Sequence, residues 1–168
     1  MSITTAVSAA VQAALLLYDA HTRYFHNVLD GISDADAQKR MDTPANHMAW
    51  LAGSLVQERF FLARLIGNSE LVQTSDALFR DHQGIKDGAA YPSLDELRKD
   101  WKIISPVLRD ILAGLSEEQL NGPDPFEMPG GPYTLRDTML FCTDRESYCI
   151  GQLGLWRRLL HYPPMKYD

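Results

Sequence analysis

Only two cysteines, Cys142 and Cys149, occur in this chain. They stand two helical turns apart in one predicted helix, roughly 10 Å along its axis. That is too far for a disulfide between them. A disulfide-stapled secreted fold is therefore excluded, and reduced thiols in the cytoplasm are the expectation. Basic charge is also short. Sixteen Lys+Arg stand against 22 Asp+Glu, a formal net charge of −6 with a pI near 5.3. That balance lacks the basic face of a nucleic-acid binder. No apolar run reaches the length of a membrane span. The Ala/Leu-rich patch from Ala9 to Leu17 has no basic stretch before it, so it reads as helix and not as a leader. Stretches of β period and internal repeats are missing too.

What is present is helix. At 168 residues, 45% hydrophobic and 23% charged, the chain fits one domain over 1–168 that buries a core without staples. Residues 4–30 carry a 3-4 spaced apolar seam of Val7, Val11, Ala14, Tyr18, His21, Phe25 and Val28, with Gly31 as the stop. Thr43-Pro44 predicts the start of a second helix, Thr as N-cap and Pro at the first position, running to Gly67-Asn68. Its seam is His47, Leu51, Ser54, Glu58, Phe61 and Leu65, widened by Met48, Leu55 and Leu62. Residues 68–92 are too long for an ordinary helix–helix loop and predict a crossover that leaves the next helix parallel to the second.

A capping box at Ser93-Leu-Asp-Glu96 opens the third helix, with the seam Leu94, Leu97, Trp101, Ile104, Leu108 and Ile111 and an end at Gly114. Pro106 inside it predicts a kink or one loosened turn. Ser116–Gln119 starts a short turn, and the Pro- and Gly-rich 122–133 stretch is a loop. Thr134–Asp137 caps the fourth helix, which runs to about His161 before Pro163-Pro164. Its seam is Leu135, Met139, Cys142, Glu146, Cys149, Leu153, Trp156 and Leu160. Four such amphipathic helices make an all-α, four-helix bundle.

The inner seams carry polar residues where apolar ones belong: His21, His47, Ser54, Glu58, Glu146 and Cys149, with Arg145 beside them. Buried polar groups must find partners, so these residues satisfy one another or line a wet cavity. A histidine on a bundle seam is most simply a hydrogen-bonded core residue. Glu58 and Arg145 are most simply an ion pair. Cys142 reads as a small core hydrophobe, and Trp50, Trp101 and Trp156 read as core or loop anchors.

Two stretches carry a resemblance. Asn46-His-Met-Ala-Trp50-Leu-Ala-Gly53-Ser54-Leu55 is followed by Leu65-Ile66-Gly67. Glu146-Ser-Tyr148-Cys149-Ile-Gly151-Gln152-Leu153 is followed by Arg157-Arg158-Leu159-Leu160 and Pro163. In this order and at these helical positions the chain resembles the DinB-like superfamily. The resemblance implies an up-down-down-up bundle, often a homodimer. It also implies zinc or nickel held by three histidines, one on the second helix and two on the fourth, with an open position for substrate. Thiol-dependent transferases are among such proteins. The matching positions here are Ser54, Arg145 and Cys149. Serine is a poor zinc ligand, and a guanidinium has no lone pair to give. Only Cys149, as thiolate, could bind a metal.

No metal cofactor is therefore expected. Zinc or nickel is left only to a rearranged site that recruits Cys149 and His47 with Glu58, Glu146 or His21. The expected function is a DinB-like protein with a substituted metal site whose cavity binds a small anionic molecule, Arg145 neutralising Glu58 and Glu146 or offering its fork to the ligand. Two alternatives stay open: a metal- and thiol-dependent transferase or hydrolase using the rearranged site, and a structural, dimerising module. A low-pKa, nucleophilic Cys149 beside Arg145 is a further reading. The only partners expected are a small molecule and a second copy, with neither nucleic acid nor membrane.

Overall fold

The computed structural model describes residues 9–67 and 69–168, so Val7 and Asn68 lie outside the described residues. Its helices are α1 (Ala9–Leu29), α2 (Asp34–Ala37), α3 (Met48–Gly67), α4 (Leu94–Ala113), α5 (Glu117–Leu120) and α6 (Leu135–Leu159). The four long ones form the bundle, and among the described residues there is no strand. No described helix is long and apolar enough to cross a membrane.

Side-chain contacts fix the direction of each helix. Asp19 of α1 pairs with Arg109 of α4, and further along Thr22 accepts from Trp101 and Leu29 from Arg98. Numbers rise on one helix and fall on the other, so α1 and α4 are antiparallel. His21 and Val28 of α1 meet Glu146 and Arg157 of α6 in rising order, so these two are parallel. Arg59 and Gly67 of α3 meet Ser105 and Ile111 of α4 in rising order, so these are parallel as well. The bundle is up-down-down-up, and the long connection between α3 and α4 is the crossover that a parallel pair requires.

Local chemistry sets most helix ends where the sequence places them. Ser93, Ser116 and Thr134 each cap their helix with a reciprocal box to Glu96, Gln119 and Asp137. Ser33 accepts from the Asp36 amide and starts α2. The Thr43-Pro44 signal misplaces the start of α3. Thr43 donates its hydroxyl to the Arg40 carbonyl at 2.7 Å, and the Arg40 guanidinium holds the carbonyls of Pro44 and Ala45 at 2.5 and 3.0 Å. That clamp keeps the segment in a turn. His47 supplies the cap instead, its Nδ1 accepting from the Trp50 amide at 3.1 Å. α4 also runs unbroken through Pro106. Lys102, whose carbonyl loses its amide partner, is exposed, as is Pro106, so the lost bond falls on the wet face where water substitutes.

The core lies along the predicted seams. Val11, Phe25, Val28, Leu55, Leu97, Trp101, Ile104 and Leu153 are fully or almost fully buried, and Phe25 stacks on Trp101 at 4.1 Å. The α3 face is wider than its seam predicts, because Ala52, Val56, Arg59 and Phe60 are buried as well.

Candidate functional site

Two polar clusters sit inside the bundle, and they differ in kind. The first is closed. The Arg59 guanidinium grips the Glu146 carboxylate at both oxygens, 2.5 Å from Nε and 2.8 Å from Nη2, while Nη1 donates to Thr22 and Ser105 at 2.8 Å each. The Tyr18 and Trp101 rings sandwich it at 3.7 and 3.6 Å. His21 Nδ1 approaches the same carboxylate at 3.2 Å. Burial pushes the Glu146 carboxyl up, but the charge and hydrogen bonds of Arg59, helped by His21, outweigh it and hold the carboxyl below its ordinary range. This cluster is a satisfied core network: Glu146 borders only a void of about 10 Å³, and neither it nor His21 lines the larger cavity of the second cluster.

The second cluster is open. Ser54 and Glu58 lie one turn apart on α3 and face the same position of α6. Arg145 fills that position. Its Nη1 donates to Glu58 Oε2 at 2.5 Å and its Nη2 to Ser54 Oγ at 2.6 Å. Beside it is a cavity of about 500 Å³. The α3 wall adds Trp50, Gln57 and Phe61, the α6 wall adds Thr138, Phe141 and Cys142, and two loops close the sides.

Each loop is pinned. The crossover folds into two short 3-10 turns, Asp76–Leu78 and Arg80–His82, and sends Phe79, Arg80 and Asp81 to the cavity. Gln57 donates to Asp76 at 2.8 Å and accepts from Gln73 at 2.6 Å, and Asp100 of α4 holds both the amide and the hydroxyl of Thr74. In the 122–133 loop, the Asp124 carboxylate accepts from the amides of Phe126 and Met128 at 2.8 and 2.7 Å, and from the Thr138 hydroxyl. Phe126 is thereby set edge-on to Phe61 at 5.5 Å, where it lines the cavity.

Glu58 carries the site's perturbed acidity. Burial raises its carboxyl to about 7, against the opposing charge of Arg145 and with a smaller push from Glu146. Its second oxygen, Oε1, is buried without a hydrogen-bond partner, as is Trp50 Nε1 on the same lining. An unfolded glutamate titrates near 4.3. From about there to pH 7 the native chain keeps a proton that the unfolded chain has lost, so Glu58's contribution to stability is whole at low pH and fades as pH rises to 7. Subtracting the unfolding free energy of Glu58→Gln from that of the wild type, point by point, should give a difference that falls between about pH 4.5 and 7 and is level above. A difference that is level throughout would mean that Arg145 keeps the carboxylate ionised.

The remaining predicted residues fall elsewhere. Cys149 is buried against the core, and burial first of all raises its thiol pKa, with the nearby Arg145 opposing. The low-pKa, nucleophilic reading of Cys149 is thereby corrected: desolvation outweighs the cation. Iodoacetamide should alkylate Cys149 in the native chain at least tenfold more slowly than a free thiol at the same pH. Cys142 lines the cavity as well as packing, and its thiol is raised by burial and by Glu58. His47 caps α3 and meets Tyr91 edge-on at 4.9 Å. Trp50 lines the cavity, whereas Trp101 and Trp156 are core.

The seam reading passed over Arg59, Phe79 and Phe126. Arg59 had a signal, since it lies on the α3 face between Leu55 and Leu62. Phe79 and Phe126 sit in irregular segments and had none.

The three family positions do not suit a metal. A guanidinium occupies the space between Ser54 and Glu58, and the lone thiol is held protonated. Among the described residues, no group of three or more His, Cys, Asp or Glu side chains is placed to hold a metal ion.

The comparisons with known proteins agree with the architecture. A sequence profile of the DinB superfamily matches residues 17–148. Among solved structures, the crystal structure of a conserved protein from Enterococcus faecalis superposes with a TM-score of 0.68 at 16% identity, covering 89% of this chain and 96% of that one. At that identity the likeness is one of fold. No curated protein matches.

Proposed function

The chain belongs to the DinB superfamily, and on that scaffold we propose that it binds a small organic anion, a carboxylate on an apolar body, with Arg145 as the anchor and no metal. The observation that carries this reading is the guanidinium set between Ser54 and Glu58 on the cavity lining. Two of its five donors are used there, and the rest remain for a ligand. Arg64 and Arg80 also border the cavity, against the acids Glu58 and Asp81. Glu58 gives up part of its charge near neutral pH because burial raises its carboxyl to about 7. The rest of the lining is largely aromatic, with Trp50, Phe61, Phe79, Phe126 and Phe141. Such a cavity favours a flat apolar body whose charged end reaches the guanidinium.

The probe is 1-naphthoate, followed by calorimetry and by the shift in melting temperature, which must rise if the native state binds it. Arg145→Gln keeps a donor toward Glu58 and removes the charge, and it should weaken binding at least tenfold, about 1.4 kcal/mol. Affinity should also rise as pH falls from 8 to 6, because protonating Glu58 removes the negative charge nearest the bound carboxylate; the gain should not exceed about tenfold per pH unit. Absence of binding, or equal binding by Arg145→Gln, defeats the reading. So does one zinc or nickel per chain by plasma mass spectrometry on protein purified without a histidine tag.

A further inference from the structure

The cavity is longer than one anchor needs. Its α3 wall runs from Trp50 to Arg64, roughly 21 Å along the helix axis. Arg145 is bonded to Ser54 and Glu58 in the first half of that wall. Arg64 stands at the far end, roughly 9 Å beyond Glu58 along the axis. Phe61 lies midway between Glu58 and Arg64, three residues from each, and Phe126 meets it edge-on at 5.5 Å. The order along the wall is cation, aromatic, cation.

The Arg64 guanidinium is unspent. Its side chain is 30% exposed, yet among the described residues it makes no hydrogen bond. Four other arginines of similar exposure, Arg40, Arg98, Arg136 and Arg145, each donate at least two. Asp76 stands 3.8 Å from Arg64 Nη1, beyond hydrogen-bond reach, and that same carboxylate oxygen takes its bond from Gln57 at 2.8 Å. Arg80, also on the lining, likewise spends none of its guanidinium donors. Its neighbour Asp81 is 4.0 Å away with a side chain 90% exposed, so water and salt screen that charge.

We propose that Arg64, assisted by Arg80, binds a second anionic group of the ligand, so that the ligand is a flat aromatic dicarboxylate held at both ends. This rests on the anion reading of the same cavity and adds the second charge to it. One carboxylate meets Arg145, the ring lies against Phe61 and Phe126, and the other carboxylate meets the free fork of Arg64, whose geometry it matches. An apolar or cationic group at that end would leave a largely desolvated guanidinium without a partner. The spacing of the two cations along α3 therefore selects ligands charged at opposite ends over those charged at one.

Calorimetric titration of the full chain with 2,6-naphthalenedicarboxylate and with 2-naphthoate, its counterpart of single charge, tests the proposal. The wild type should bind the dicarboxylate about tenfold or more tightly than the monocarboxylate. Arg64→Gln should cut that advantage to about threefold or less. Arg64→Gln combined with Arg80→Gln should bring it to about twofold or less, what two equivalent ends supply by themselves. Arg145→Gln should weaken both ligands. If 2-naphthoate binds through Arg145 and the dicarboxylate binds no tighter, the second subsite is overturned and the anion reading stands. An advantage that survives in the double variant overturns the assignment to Arg64 and Arg80. If neither ligand binds, both readings fall.

Discussion

Arg59→Met should lower the unfolding free energy by about 3–5 kcal/mol at pH 7, because it leaves a buried carboxylate without its cation. For a domain of this size that is a fall of roughly 10 °C in melting temperature. The size of the effect comes from the partner left behind and not from the lost contact. Glu146 is 4% exposed and takes two of the Arg59 donors, and the Thr22 and Ser105 hydroxyls lose their donor at the same time. Methionine keeps much of the apolar volume between Tyr18 and Trp101, so packing loss is a minor part. The double variant Arg59→Met, Glu146→Leu should recover most of the stability, since a buried pair replaced by apolar side chains costs little.

The pH dependence separates this account from simple loss of packing. In the wild type the Glu146 carboxyl is held below its ordinary range. Its contribution is therefore present above the unfolded pKa near 4.3 and is lost as pH falls through the lower, folded value. In Arg59→Met the sign reverses. Burial then acts unopposed by a guanidinium, the carboxyl rises, and the native variant takes up a proton that the unfolded chain does not hold. The stability gap between wild type and variant should narrow as pH falls from 7 to 5. Chemical denaturation at each pH reads this directly. A gap that stays constant would assign the loss to packing.

Arg59 also shows why the interior was only half legible in the sequence. Over the described residues, the seams of α1, α4 and α6 read correctly because apolar residues recur there at helical spacing and the caps at Ser93 and Thr134 are local. The pairing of Arg145 with Glu58 was legible for the same reason: Glu58 stands on one seam and Arg145 beside another, on helices that the bundle brings together. But Glu146 has two candidate cations, Arg145 next to it in sequence and Arg59 on the facing helix. Spacing favours the neighbour. Geometry decides for Arg59, since consecutive residues on a helix point about 100° apart, so Arg145 turns toward α3 and the cavity while Glu146 turns toward the centre. The cavity walls from the crossover and from the 122–133 loop were illegible for another reason. Phe79 and Phe126 are placed by loops whose hydrogen bonds to Gln57, Asp100 and Asp124 no periodicity announces.

Phe79 is also where stability and the cavity meet, and Gly53→Ala tests the connection. A Cβ built on Gly53 would stand 2.1 Å from the tip of the Phe79 ring and 2.6 to 2.7 Å from the next two ring atoms. Real atoms do not approach so closely, so something must shift. The α3 backbone is locked by its own hydrogen bonds, and the Gly53 carbonyl also accepts from Gln73. The ring is buried, with Tyr91 beside it at 5.8 Å between centroids, and it lines the cavity. The expected outcome is a ring pushed into that cavity. Overpacking of this kind costs about 1–3 kcal/mol, although alanine favours the helix by up to about 1 kcal/mol. The net loss should be about 1–2 kcal/mol, with naphthoate affinity reduced at least tenfold. Gly53→Ala combined with Phe79→Leu removes the clash and should restore both. If the single variant binds naphthoate as the wild type does, the ring has found room away from the cavity, and Phe79 is then no wall of the site. If stability falls but the double variant does not recover it, the strain lies in the α3 backbone and not at the ring.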